Sequence, residues 1–139
     1  MLQEQIQRYF ETCEDQMVAA ITKLVAIRSV RAEAQPGLPF GKGPAEALAE
    51  ALAIAEEMGF ATANIDNYVG TVDINDQETR LGILCHLDVV AEGSGWSTPP
   101  YTVVQKDGML FGRGTSDDKG PLVAALYALK AVKDLGIPL

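Results

Sequence analysis

Two short stretches hold the side chains best suited to chemistry. Cys85-His86-Leu87-Asp88 ends an apolar run that begins at Leu81. Alternate residues of an extended chain point the same way, so His86 and Asp88 share a face. An imidazole and a carboxylate so placed suit metal ligation, with the acid orienting the histidine or supporting a general base. The same pair also describes an isolated polar strand end. The second stretch is Phe111-Gly112-Arg113-Gly114-Thr115-Ser116-Asp117-Asp118-Lys119-Gly120. Adjacent like charges repel and burial penalises them further, and a bound cation relieves both effects. Ser116, Asp117 or Asp118 could instead cap the helix that follows. The glycines at 112, 114 and 120 favour a site, because they permit close or left-handed backbone around the acids.

Other chemistries find no support. No G-x-x-x-x-G-K-[ST] loop is present, Gly37 to Lys42 misses that spacing by one residue, and no G-x-G-x-x-G follows a strand. Ser94, Ser97 and Ser116 lack a nucleophile-elbow context. Cys85 precedes His86 directly, so a strand would turn it to the opposite face, toward the core. A single histidine excludes any mechanism drawing two from this chain. With 11 basic and 19 acidic residues, the net charge of −8 argues against nucleic-acid partners and an anionic membrane surface. Most of that charge reads as solvated surface. Cys13 and Cys85 form no C-x-x-C and fit reduced thiols of a cytoplasmic protein. No apolar run nears the roughly 18 residues of a membrane span, and Met1-Leu2-Gln3-Glu4-Gln5 lacks the pattern of a secretory signal.

The elements that must position these residues follow from periodicity. A 139-residue chain is one domain's worth of sequence. Steps of three and four predict an amphipathic helix from Leu2 to Arg28. A Gly/Pro-rich loop at Gln35–Gly43 leads into a second helix that opens at Pro44, reaches Met58 and stops at Gly59. Ala61–Ile65, Val69–Ile74 and Arg80–Leu87 read as strands, the last a buried central one. After the Glu92–Pro100 loop, Tyr101–Val104 and Met109–Phe111 flank Asp107-Gly108 as a hairpin. The last helix, Pro121–Leu135, would turn Leu122, Val123, Leu126, Leu129 and Val132 into a core, yet no strand follows to receive it. The order predicts an α/β fold, with layered helices around a mixed β-sheet.

Taken together, HLDVVAEGSGWSTPPY (86–101) and DGMLFGRGTSDDKGP (107–121) resemble the di-zinc metallopeptidases related to aminoacylase, carboxypeptidase G and dipeptidase V. The DVV…GW…PPY loop and the doubled Asp before Lys-Gly-Pro are most similar to the dipeptidase V branch. PFGKGPAEALAEALAIAEEMGF (39–60) resembles that branch's second helix and its approach, so the likeness covers nearly the whole chain. The resemblance implies that residues 1–139 are the N-terminal part of a zinc-exopeptidase catalytic domain, whose lid and C-terminal half lie outside this sequence. It implies that His86 ligates one zinc, that Asp117 bridges two, and that Asp88 is the catalytic acid orienting His86 or the general base. It also implies a cis peptide between Asp117 and Asp118, with Asp118, Lys119 and Gly120 as positioning residues. Trp96 and Pro99-Pro100 would shape the loop beside the site.

The implied reaction is metal-assisted hydrolysis of a dipeptide or N-acyl amino acid, by a zinc-bridging water that loses a proton to a glutamate. Such His/carboxylate sites also accept cobalt or manganese. The family's Glu-Glu base follows the last helix and is absent here. Glu56-Glu57 precedes His86 on a helix and is no substitute. A catalytic zinc usually takes three protein ligands, whereas His86 and Asp117 are two residues for two ions. The expectation is therefore weak or no zinc binding and no hydrolysis by this chain alone, its partner being the missing C-terminal part of the same enzyme. The alternatives are a non-catalytic α/β binding module derived from a truncated metallopeptidase, and an unrelated α/β domain whose Asp pair only caps a helix.

Overall fold

The computed structural model describes residues 1–139. Helix α1 spans Leu2–Ala26 and α2 spans Lys42–Glu57, followed by strands β1 (Ala61–Ile65), β2 (Val69–Asp73), β3 (Val104–Lys106) and β4 (Met109–Phe111), and by helix α3 (Lys119–Asp134). β1 and β2 pair antiparallel, as do β3 and β4, and no hydrogen bonding joins the two pairs. The fold is α/β, as the periodicity predicts. Its only parallel pairing is an isolated bridge between Val30 and Val89.

The helices follow their apolar periods. Cys13, Ala20, Ile21, Leu24 and Val25 put one stripe of α1 in the core, and the chain leaves the helix at Ile27 in an extended conformation. Val123, Leu126 and Tyr127 of α3 meet that stripe, while Leu122 and Leu129 pack half-buried against the same cluster. Val132 is half-buried as well. Small residues on α2, Ala51 and Ala55 among them, bring its backbone close to this core. Against the first hairpin, Leu48 and Leu52 of α2 lie over Gly70, where a side chain would displace them.

Both α2 and α3 begin two residues before their prolines. Pro44 and Pro121 then fall in the first turn, where the missing N–H has no helical partner to lose. α2 ends as expected, with Gly59 in the left-handed region (φ 80°). Lys133 of α3 completes that end by donating to the carbonyls of Met58 and Gly59, at 3.1 and 2.6 Å. In the second hairpin Asp107 and Gly108 both have positive φ, at 53° and 74°, which matches a two-residue turn between twisted strands.

The expected buried strand at Arg80–Leu87 does not form. Leu81 and Leu84 are 80% and 96% exposed, and Ile83 is exposed too. An apolar run becomes a buried central strand only when other strands flank it. Here the four strands pair among themselves, and none lies alongside residues 80–87. Cys85 is accordingly half-buried rather than in the core.

Candidate functional site

Long-range contacts place the His86 segment. The hydroxyl of fully buried Ser29, just past α1, donates to the Leu87 carbonyl at 2.6 Å. The Val89 N–H donates back to the Ser29 carbonyl at 3.1 Å. From the other side, the Asp118 carboxylate accepts the His86 backbone N–H at 3.0 Å. The Asp117–Asp118 peptide is cis. Asp118 stands at the N-cap position of α3 without a side-chain capping bond. The simple capping explanation for this acid pair therefore fails, because both carboxylates engage His86.

The imidazole lies between two acids. Its Nδ1 is 3.1 Å from the Asp88 carbonyl oxygen and 3.2 Å from the Asp88 carboxylate. Both are acceptors, so Nδ1 carries the hydrogen. Nε2 then faces Asp117 Oδ1 at 2.9 Å. A lone pair and a carboxylate oxygen at that distance need a positive centre, either a proton on Nε2 or a cation between them. Burial pulls the His86 pKa down, but the Asp117 hydrogen bond, the Asp88 contacts and the Asp118 charge outweigh it, so the net shift is upward. Burial and the Asp118 charge also raise the Cys85 thiol, which keeps it protonated and disfavours a thiolate nucleophile.

A cleft lined by His86, Asp88, Arg113, Ser116 and Asp117 opens at this point. Imidazole nitrogen and carboxylate oxygen are ordinary zinc donors, with bond lengths of about 2.0–2.2 Å, so two donors 2.9 Å apart can meet on one ion. No group of three His, Cys, Asp or Glu side chains is assembled to hold a metal. The donors gathered here thus fit part of a metal site.

Lys119 and Gly120 lie behind the acids. Lys119 is fully buried and points away from the cleft, donating to the carbonyls of Leu24 and Ile27, each at 2.7 Å. Burial lowers its pKa to about 8. It ties the end of α1 to the start of α3, directly beneath the Asp pair. A Cβ on Gly120 would overlap the Thr115 carbonyl oxygen, so only glycine lets the loop 112–118 fold this tightly onto the helix.

Four residues of the surroundings were not among those singled out from sequence: Arg28, Ser29, Glu92 and Arg113. Glu92 accepts from Arg28 Nε at 3.1–3.2 Å and from the Tyr101 hydroxyl at 2.8 Å. These bonds, Arg28 foremost, hold its carboxyl down at about 2. The Trp96 indole donates to the Glu92 carbonyl at 2.7 Å, so Trp96 does shape the loop beside the site. Arg113 stacks on Trp96, its Cζ 5.1 Å from the ring centroid. Sequence offered one signal, the position of Arg113 between two glycines just ahead of the acid pair. Ser29 had none, because its role depends on a contact 58 residues away.

The model of "Peptidase family M20/M25/M40" matches residues 82–139, the stretch containing His86 and both acids. A Bacillus subtilis (strain 168) protein named "Putative dipeptidase YtjP" is 39% identical over 128 residues, covering 91% of this chain and 28% of its own length. A "Putative dipeptidase" of Staphylococcus aureus (strain USA300) is 40% identical over 139 residues, covering 99% of this chain and 29% of its own. The crystal structure of human carnosine dipeptidase 1 matches 100% of this chain with 32% of its own, at TM-score 0.72 and 27% identity. The chain therefore spans less than a third of the length of these relatives. No helix is long and apolar enough to cross a membrane. The chain is thus similar to peptidase family M20/M25/M40 over residues 82–139, and to proteins named as dipeptidases along nearly its whole length.

Proposed function

We propose that the chain carries part of the active site of a zinc-dependent dipeptidase, similar to the dipeptidase V branch, and completes it together with residues beyond Leu139. The observation that carries this reading is the contact of His86 Nε2 with Asp117 Oδ1 at 2.9 Å, formed between the two stretches the sequence marks as chemical. His86 and Asp117 would hold the metal. Bound zinc would supply a more acidic water and a polarised amide carbonyl. Asp88 keeps the His86 hydrogen on Nδ1, which leaves Nε2 free as a donor. Asp118 holds the His86 backbone, and Lys119 and Gly120 fix the turn presenting both acids. The general-base glutamate is not among these residues and would come from the remainder of the enzyme. The substrate would be a dipeptide or N-acyl amino acid, in keeping with the dipeptidase names of the relatives. The two free cysteines support a cytoplasmic setting.

The test measures zinc uptake and dipeptide hydrolysis in the 139-residue chain, in His86→Ala and Asp117→Ala, and in a longer version that includes the native downstream sequence. The expected result is weak zinc uptake lost in both variants, no hydrolysis by the short chain, and hydrolysis by the longer one. Equal uptake in all three short chains removes the metal site. Inactivity of both lengths removes the dipeptidase assignment.

A further inference from the structure

Arg113 is the one arginine or lysine lining the cleft that holds His86, Asp88 and Asp117. A guanidinium sharing a cleft with two carboxylates would ordinarily pair with one of them. It forms no ion pair here. Its guanidinium instead lies over the Trp96 ring, and Nη2 points to the carbonyls of Ala91 and Glu92, each at 3.4 Å. The Arg113 backbone N–H donates to the Pro100 carbonyl at 2.6 Å. Its Nε is buried without a partner, a cost that turning toward an acid would remove. The same loop is also fastened through the Glu92 carboxylate to Arg28 and Tyr101.

We propose that Arg113 is a positioning residue with two linked effects: it grips Trp96 and so holds loop 91–100 in place beside the cleft, and it is thereby kept off Asp88 and Asp117, whose carboxylates stay available to a cation. The first effect stands on the geometry alone. The second rests on the metal-site reading above.

Trp96 is the only tryptophan, so its fluorescence reports the loop directly. In the metal-free chain, Arg113→Ala should raise acrylamide quenching of Trp96 about twofold and shift its emission to the red, with the far-UV circular dichroism unchanged. Arg113→Lys should fall between, because an ammonium keeps the attraction to the indole but loses the planar fork. Parent-like quenching in Arg113→Ala overturns the loop-holding role. Should that variant fail to fold, parent-like quenching in Arg113→Lys overturns it instead. For the second effect, Trp96→Ala should weaken zinc uptake about fivefold by freeing Arg113 to pair with the acids, and adding Arg113→Ala should restore it. No loss, or a loss that the second substitution does not reverse, overturns this effect. Zinc uptake that survives His86→Ala removes the metal-site reading and the second effect with it, while the quenching result still judges the first.

Discussion

His86 Nε2 stands 2.9 Å from Asp117 Oδ1, although 31 residues separate them in the chain. The contact brings together the ends of two segments, the His86 segment anchored by Ser29 just past α1 and the acids by Lys119, which donates to the Leu24 carbonyl at the end of α1. The nitrogen and the oxygen need a positive centre between them, a proton or a cation.

Competition between proton and metal at that position gives the first prediction. Zinc uptake should weaken as pH falls through the raised His86 pKa, because the imidazolium must lose its proton before Nε2 can donate to the ion. Asp117→Asn should weaken uptake at every pH, since it removes the negative oxygen. Equilibrium dialysis across pH 5 to 8 measures both, and pH-independent uptake in the parent contradicts the arrangement.

Lys119→Met keeps most of the buried stem and removes the donor to Leu24 and Ile27. Urea unfolding should show a loss of about 1–3 kcal/mol from the stranded carbonyls. Stability equal to or above the parent would mean that the cost of burying the ammonium matches what those two bonds return.

Gly120→Ala should destabilise by about 1–3 kcal/mol, because the new methyl overlaps the Thr115 carbonyl and backbone must shift to admit it. Gly82→Ala is the control, since nothing lies within 4 Å of a Cβ there. Equal melting temperatures for the two variants would contradict the close approach of loop and helix.

Glu92 predicts an acid transition in the loop. Its folded pKa of about 2 lies below the ordinary 4.5, chiefly through the Arg28 hydrogen bond. A depressed carboxylate pKa stabilises the fold above pH 4.5, and that contribution is lost as pH falls through about 2. Trp96 emission should stay flat from pH 7 to 4.5 and change between 4.5 and 2, because its indole donates to the Glu92 carbonyl. In Glu92→Gln this transition should vanish.

How much could be read in advance differed by element. The helices, β1, β2, β4 and the Asp107-Gly108 turn were legible because each is built from local signals, whereas β3 covers Val104–Lys106 rather than the expected Tyr101–Val104. Arg80–Leu87 misled because its apolar composition matches a buried strand, while burial depends on neighbours that local pattern cannot supply. The site was legible in its residue types and only partly in its wiring. His86, Asp88, Asp117 and Asp118 lie within hydrogen-bonding distance of one another's groups, and the cis peptide lies where the resemblance implies it.

The sequence by itself determined which side chains could do chemistry, the helices and turns around them, and the family the motifs resemble. Those properties are encoded within a few residues of one another. Tertiary structure alone decided that Asp117 meets Nε2 rather than capping α3, that Lys119 faces α1 rather than the cleft, and that Arg113 lies on Trp96 rather than on an acid. Each of those outcomes is a choice among competing partners of similar chemistry. It is decided by which backbone segments packing brings within hydrogen-bonding distance, and the spacing of residues along the chain does not encode that.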